Sequence, residues 1–168
     1  YTLSSPFTFK HKSGSLRVKN PAYGTKYYPG DMEARIVDGG IRLTNHVDME
    51  TYLYGVLPFE MSNSWPLEAL KAQAVAARTY AARARRSSNY FDLYDTQSSQ
   101  VYQGYDPAYA RCIQAVDETK GLVLMYNNSF VGTYYSSSNG GMTEATKNIF
   151  VQDLPYSVIK EDPYDIRN

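Results

Sequence analysis

One cysteine, Cys112, excludes an internal disulfide and a multi-cysteine metal site. Two histidines, His11 and His46, are too few for a histidine-built zinc centre. Net charge is lacking too. Lys plus Arg number 17 and Asp plus Glu number 17, so the chain has no clustered positive field of the kind that binds nucleic acid. The one dense basic stretch, Arg83, Arg85 and Arg86, falls at the end of a helical pattern, where cations complement the helix dipole. No apolar run reaches the roughly 20 residues of a membrane span, and none has the layout of a signal peptide. The chain opens on Tyr1 rather than Met, which suits an excised or mature fragment, so the missing leader says little about secretion.

What is abundant is tyrosine, 17 residues of it. Its ring offers an apolar face and a polar tip, which matches the apolar faces and hydroxyl edges of sugars, although tyrosine also populates ordinary strands. An apolar fraction of 43% with 20% charged residues fits a soluble globular chain of one-domain length.

The patterning predicts an α+β fold: a small β-rich N-terminal portion over residues 1–45, then a core over 46–168 in which a long Ala-rich helix packs with antiparallel hairpins. The two portions also suit one continuous domain. Ser15 to Lys19 reads as a strand, and Ala34 to Val37, Asp38-Gly39-Gly40 and Ile41 to Leu43 read as a hairpin. Asp48 to Gly55 has helical spacing, and Pro58 suits the start of a short helix carrying Glu60. Pro66 to about Arg86 forms the main helix, with eight alanines and no internal Gly or Pro. At about 100° per residue, Leu67, Leu70, Ala74, Ala77 and Ala81 share one stripe. So little polar surface predicts burial on most faces. Pro107 to Thr119 reads as a second helix ended by Gly121, and Leu122 to Tyr126 as a strand turning at Asn127-Asn128 into Phe130 to Tyr135.

Three groups carry candidate chemistry. Glu60 sits among Leu57, Pro58, Phe59, Met61 and Trp65. Apolar surroundings disfavour a carboxylate's charge, as a general acid for glycosidic cleavage requires; a solvent-facing helix-start carboxylate is the alternative. Lys71 and Arg78, seven residues apart and about 20° apart in projection, flank the alanine stripe and suit the gripping of substrate oxygens. A surface pair of Lys71 with Glu68 is equally compatible. To spare a proton donor, both cations must stand a few ångströms from Glu60. The loop from Tyr134 to Gly141, with Ser136, Ser137, Ser138, Asn139 and Gly140, supplies hydroxyls, an amide and accessible N–H groups, or is simply a turn. It is not a phosphate loop, and no serine sits in a nucleophile elbow.

The blocks Tyr52 to Met61, Trp65 to Tyr80, Asp95 to Gly104, Thr119 to Gly121, Tyr135 to Glu144 and Asp162 to Asp165 together resemble the stage II sporulation protein D family, which includes amidase enhancers. The resemblance covers about residues 45–168. It implies a lytic transglycosylase that cleaves the N-acetylmuramic acid to N-acetylglucosamine bond of peptidoglycan glycan strands lacking stem peptides, leaving 1,6-anhydro ends. It implies an extracytoplasmic setting at the cell wall or surface, with anchoring left to a segment outside this chain. The family's catalytic glutamate falls on Glu60, its helix cations on Lys71 and Arg78, and its loop tyrosine on Tyr135. Ser136, Ser137, Gly140 and Gly141 complete the expected substrate-binding set. A non-catalytic wall-binding module that enhances a partner amidase is the alternative. Some relatives have Cys and His where this chain has Tyr94, Ser98, Ser99, Ser136 and Asn139, a set able to hold zinc. With thiolates and imidazoles gone, no metal and no cofactor are expected, and hydroxyl and amide hydrogen bonds are expected to brace the loop.

Overall fold

A computed structural model describes residues 5–21, 24–85, 90–150 and 153–165. The chain divides into two compact units, one comprising Tyr1–Met125 with Phe130–Thr133, the other Tyr126–Ser129 with Tyr134–Asn168. The mixture of helices and small antiparallel sheets is the expected α+β class.

The first unit opens with strands. β1 (Phe7–Phe9), β4 (Asp31–Val37) and β5 (Gly40–His46) form an antiparallel sheet in the order β1-β4-β5, and β2 (Ser15–Asn20) pairs with β3 (Gly24–Pro29). The β4–β5 hairpin turns at Asp38 (φ 50°) and Gly39 (φ 76°), with Val37 opposite Gly40. Two successive left-handed residues are what a two-residue hairpin turn demands. The pairing runs back to Asp31 opposite His46, longer at both ends than the hairpin expected from the sequence.

The helices follow in the same unit. α1 (Met49–Tyr54) is capped by Asp48, whose carboxylate accepts the Thr51 N–H at 3.1 Å. α2 (Leu57–Glu60) is a single turn with Pro58 in its first positions. α3 (Leu67–Ala84) spans about 27 Å, and only Glu68, Ala72 and Arg83 along it are exposed. Arg86, expected near its end, lies outside the described residues. α4 (Ala110–Glu118) packs against α3.

Leu70, Ala74, Ala77 and Ala81 are buried on the predicted stripe, while Leu67 is partly covered. Small side chains there let α1, α2 and α4 approach closely. Leu53, Val56, Leu57, Cys112, Ala115 and Val116 fill the core with no exposure, each leucine and valine worth about 1.5–3 kcal/mol in burial. Gln100, 1% exposed, is satisfied: its amide donates to the Ala77 carbonyl at 3.3 Å, and its oxygen accepts the Tyr52 hydroxyl at 3.2 Å.

The strand expected over Leu122 to Tyr126 and its return shorten to β6 (Met125–Tyr126) and β7 (Ser129–Phe130), turning at Asn127 (φ 46°) and Asn128 (φ 59°). One further rung joins the flanking segments, the Val131 N–H donating to the Leu124 carbonyl at 3.2 Å, and further bonds tie them to α3. The Leu124 N–H donates to Thr79 Oγ1 at 3.0 Å, and the Thr133 hydroxyl to the Ala76 carbonyl at 2.8 Å. Past that rung the chain lies along α3. The second unit holds α5 (Thr146–Ile149) and an antiparallel bridge between Met142 and Glu161. Among the described residues no helix is long and apolar enough to cross a membrane.

Candidate active site

Glu60 ends α2 half-buried, and its Oε1 accepts the backbone N–H of Val101 at 3.2 Å. The first unit contains five glutamates. Four are ion-paired: Glu33 with Arg35, Glu50 with Arg78, and Glu68 and Glu118 with Lys71. Among the described residues Glu60 has no cation partner, and Val101 supplies its one hydrogen bond.

Two glycines put Val101 there. A Cβ on Gly55 would lie 2.4 Å from the Gly104 carbonyl oxygen and 2.5 Å from the Tyr102 ring. A Cβ on Gly104 would lie 2.2 Å from the Tyr27 carbonyl oxygen, and its φ of 78° is left-handed. The Gln103 N–H donates to the Gly55 carbonyl at 3.1 Å, and the Tyr105 N–H to that of Tyr27 at 2.8 Å. The turn between α1 and α2 is thereby locked against residues 101–105, which fixes the height of Glu60. Val101 and both glycines lie in the blocks that carry the family resemblance, but none of them received a role from sequence reasoning. Val101 acts through its backbone, and nothing local separates a close-approach glycine from a turn glycine.

Arg78, expected as a substrate-gripping cation, is buried and engaged by other elements. Its side chain is 2% exposed. Nε and Nη2 donate to Glu50 at 2.7–3.2 Å, Nη2 also to the Val116 carbonyl at 3.2 Å, and Nη1 to the Leu122 carbonyl at 3.1 Å. Thr119 Oγ1 takes two further contacts at 3.4–3.5 Å. Glu50 Oε1 also accepts the Gly121 N–H at 3.1 Å. The planar fork of donors is consumed tying α3 to α1 and to the end of α4, with nothing left for a ligand. The projection from a helical wheel put Arg78 beside the stripe, but α1 and the 119–122 segment close over it.

Lys71 carries the ion pair its spacing allowed, to Glu68 at 2.8 Å, and a second to Glu118 at 2.5 Å. Glu118 and then Glu68 hold its ammonium above the usual lysine range. Its charge is committed to α4, not to Glu60.

In the second unit the Tyr134–Gly141 loop is braced by residues that sequence reasoning left without a role. Asp165 Oδ2 accepts the Ser138 hydroxyl at 2.7 Å and the N–H groups of Asn139 at 2.9 Å, Gly140 at 2.7 Å and Gly141 at 3.3 Å. These bonds, the Ser138 hydroxyl foremost, hold Asp165 below the usual carboxylate range. The Asn139 amide donates to Asp162 at 3.0 Å, and Asn139 Oδ1 accepts the Gly141 N–H at 2.8 Å. The N–H groups of Gly140 and Gly141, expected to meet substrate, are therefore spent inside the loop. The Ser136 hydroxyl goes to the Ser138 carbonyl at 2.9 Å. Ser137 is exposed, and Tyr135 is 36% exposed. A carboxylate about 25 residues away in sequence gives no local signal of this brace. Among the described residues no three His, Cys, Asp or Glu side chains gather closely enough to hold a metal ion.

Comparison with known proteins agrees with the blocks around Glu60 and α3. The family model described as stage II sporulation protein matches residues 37–126. An uncharacterised protein of Brachyspira hyodysenteriae is 41% identical over 136 residues, 79% of this chain and 37% of that protein. The amidase enhancer of Bacillus subtilis is 47% identical over 113 residues, 67% of this chain and 15% of its own. Stage II sporulation protein D of Bacillus subtilis is 31% identical over 137 residues, 71% of this chain and 40% of its own. The chain thus spans less than half the length of each of these relatives. With the family model covering more than half of it, the chain belongs to the stage II sporulation protein family.

Proposed function

We propose that this chain acts on the bacterial cell wall, outside the cytoplasm, as a lytic transglycosylase that cuts stem-peptide-free peptidoglycan glycan, with Glu60 as its acid and then its base. The observation that carries the reading is the singular state of Glu60 among the glutamates of its unit: one oxygen positioned by Val101, no cation consuming the other. A carboxyl group that must give and take a proton needs that freedom.

In the proposed reaction Glu60 protonates the oxygen between N-acetylmuramic acid and N-acetylglucosamine. The bond to the muramoyl C1 breaks as positive charge develops on that ring. Glu60, now a carboxylate, removes the proton of the same ring's 6-hydroxyl, whose oxygen closes on C1 to give the 1,6-anhydro end. Glycosidases that use water require a second carboxylate; the internal hydroxyl takes that partner's place. Lys71 and Arg78 receive no substrate role here, since their charges are already engaged. Tyr135 and Ser137 are proposed as the glycan-binding side chains of the second unit's loop.

Mass spectrometry of peptide-free glycan strands after incubation tests this. Anhydro ends are expected, and Glu60→Gln should abolish them. Reducing ends, or cleavage that persists in the variant, overturns the mechanism. The name of the amidase-enhancer relative favours one second reading, a wall-binding module that stimulates a partner amidase. Tight glycan binding with intact strands, and faster release of stem peptides when an amidase is added, selects it.

A further inference from the structure

A cavity of about 620 Å³ in the first unit has no part in the reading above. Its wall includes Phe59, the residue before Glu60, and Gln103 and Gly104, two and three residues past the Val101 that holds Glu60. Three residues of chain reach roughly 11 Å at most, so the cavity begins within that distance of Val101.

Four aromatic rings line it: Tyr27, Phe59, Tyr105 and Tyr109. Three are held by other rings. Phe59 and Tyr109 pack edge to face at 5.7 Å, and Tyr105 leans on Tyr54 at 6.0 Å. Tyr54 is fixed in turn by its hydroxyl, which donates to Asp117 at 2.5 Å. Tyr27 is 51% exposed, with its backbone carbonyl anchored by the Tyr105 N–H. Rings fixed before a ligand arrives spare the entropy of ordering them. Ser15, Thr25, Lys26, Gln103 and Asp106 supply the polar groups between them. The Gln103 side-chain amide has no partner among the described residues, and Asp106 Oδ1 accepts the Ala108 N–H at 2.9 Å. Among the described residues Lys26 is the one cation in the wall, too little for a phosphate or an acidic peptide. Rigid aromatic faces interleaved with an amide and a carboxylate suit a pyranose, which stacks its C–H face and offers hydroxyl or acetamido groups at its edge.

We propose that this cavity is a saccharide subsite that holds an N-acetylhexosamine unit of the glycan away from the bond cleaved beside Glu60. The proposal rests on the reading of Glu60 as the cleaving acid, and it assigns Tyr27 and Gln103 as residues that set how long a strand is preferred.

The test titrates chitotetraose, a tetramer of β-1,4-linked N-acetylglucosamine without muramic acid, into the unaltered chain and into Tyr27→Ala and Gln103→Ala, read by calorimetry. Tyr27→Ala should weaken binding about tenfold, the equivalent of one stacked ring, and Gln103→Ala about fivefold, the equivalent of one hydrogen bond. Both variants should melt with the unaltered chain, since Tyr27 is half-exposed and the Gln103 amide bonds nothing. No binding by the unaltered chain, or equal affinity in all three, overturns the subsite. Glycan cleavage by Glu60→Gln is scored separately. If that variant still cuts, the catalytic reading falls, while a Tyr27-dependent affinity keeps the subsite standing.

Discussion

Replacing Glu50 by glutamine preserves the shape of α1 and removes the one charge that faces Arg78. The guanidinium stays behind, 2% exposed, among Val116, Thr119 and Leu122. Removing one partner of a buried, hydrogen-bonded pair costs about 3–5 kcal/mol, because the remaining charge is neither solvated nor balanced. For a chain of this size each kcal/mol lowers the melting temperature by about 2–4 °C, which places Glu50→Gln about 10 °C below the unaltered protein. Circular dichroism melts together with urea titrations measure both quantities. Replacing both partners by apolar residues, Glu50→Leu with Arg78→Met, should recover most of the loss, since no orphaned charge remains. A melt within about 2 °C of the unaltered protein for Glu50→Gln would refute the anchor role and return Arg78 to the substrate-binding candidates. Glu50→Gln separates the two roles cleanly, because it leaves the cation itself in place.

Further outcomes follow from the same contacts. Gly104→Ala should cost about 3 kcal/mol, from its left-handed backbone and a Cβ 2.2 Å from the Tyr27 carbonyl oxygen. Gly140→Ala, with a similar φ and open space around it, should cost only about 1 kcal/mol; equal melts for the two would refute the close-approach argument. Asp165 has its carboxyl lowered in the folded state, chiefly by the Ser138 hydroxyl and then by the loop N–H groups. Its contribution is therefore complete above the unfolded value of about 3.9 and is lost as pH falls through the lower folded one. The amide resonances of Asn139 and Gly140 should move in that acid range, and Asp165→Asn should abolish the movement; flat resonances down to pH 2 would contradict the brace. Burial pushes the Cys112 thiol up and leaves it without exposure, so a disulfide reagent should label it in urea and not in the native chain.

How much of this was legible in the residues differs by element. The α3 stripe could be read because helical periodicity and alanine content act locally, and four of its five predicted positions are buried. The β4–β5 turn was equally readable, since Asp-Gly supplies the left-handed pair a tight hairpin needs. The strand past Gly121 was misjudged in length because, beyond the Val131–Leu124 rung, it and its return bond to Thr79 and Ala76 on α3, partners that no local pattern names.

For the candidate site the division is sharper. The sequence by itself determined that a carboxyl group stands at the end of a one-turn helix led by Pro58, among apolar neighbours, ahead of a long alanine helix. Only the tertiary structure decided which charges are free. Arg78 and Lys71 share a helix and about the same projection, yet one is sealed against Glu50 and the other tied to Glu68 and Glu118. Glu60 is left to the Val101 N–H by a glycine-to-glycine contact 49 residues apart in the chain. The physical reason is that helix periodicity fixes the direction of a side chain from its own axis, whereas the countercharge and solvent it meets belong to elements brought beside it by packing.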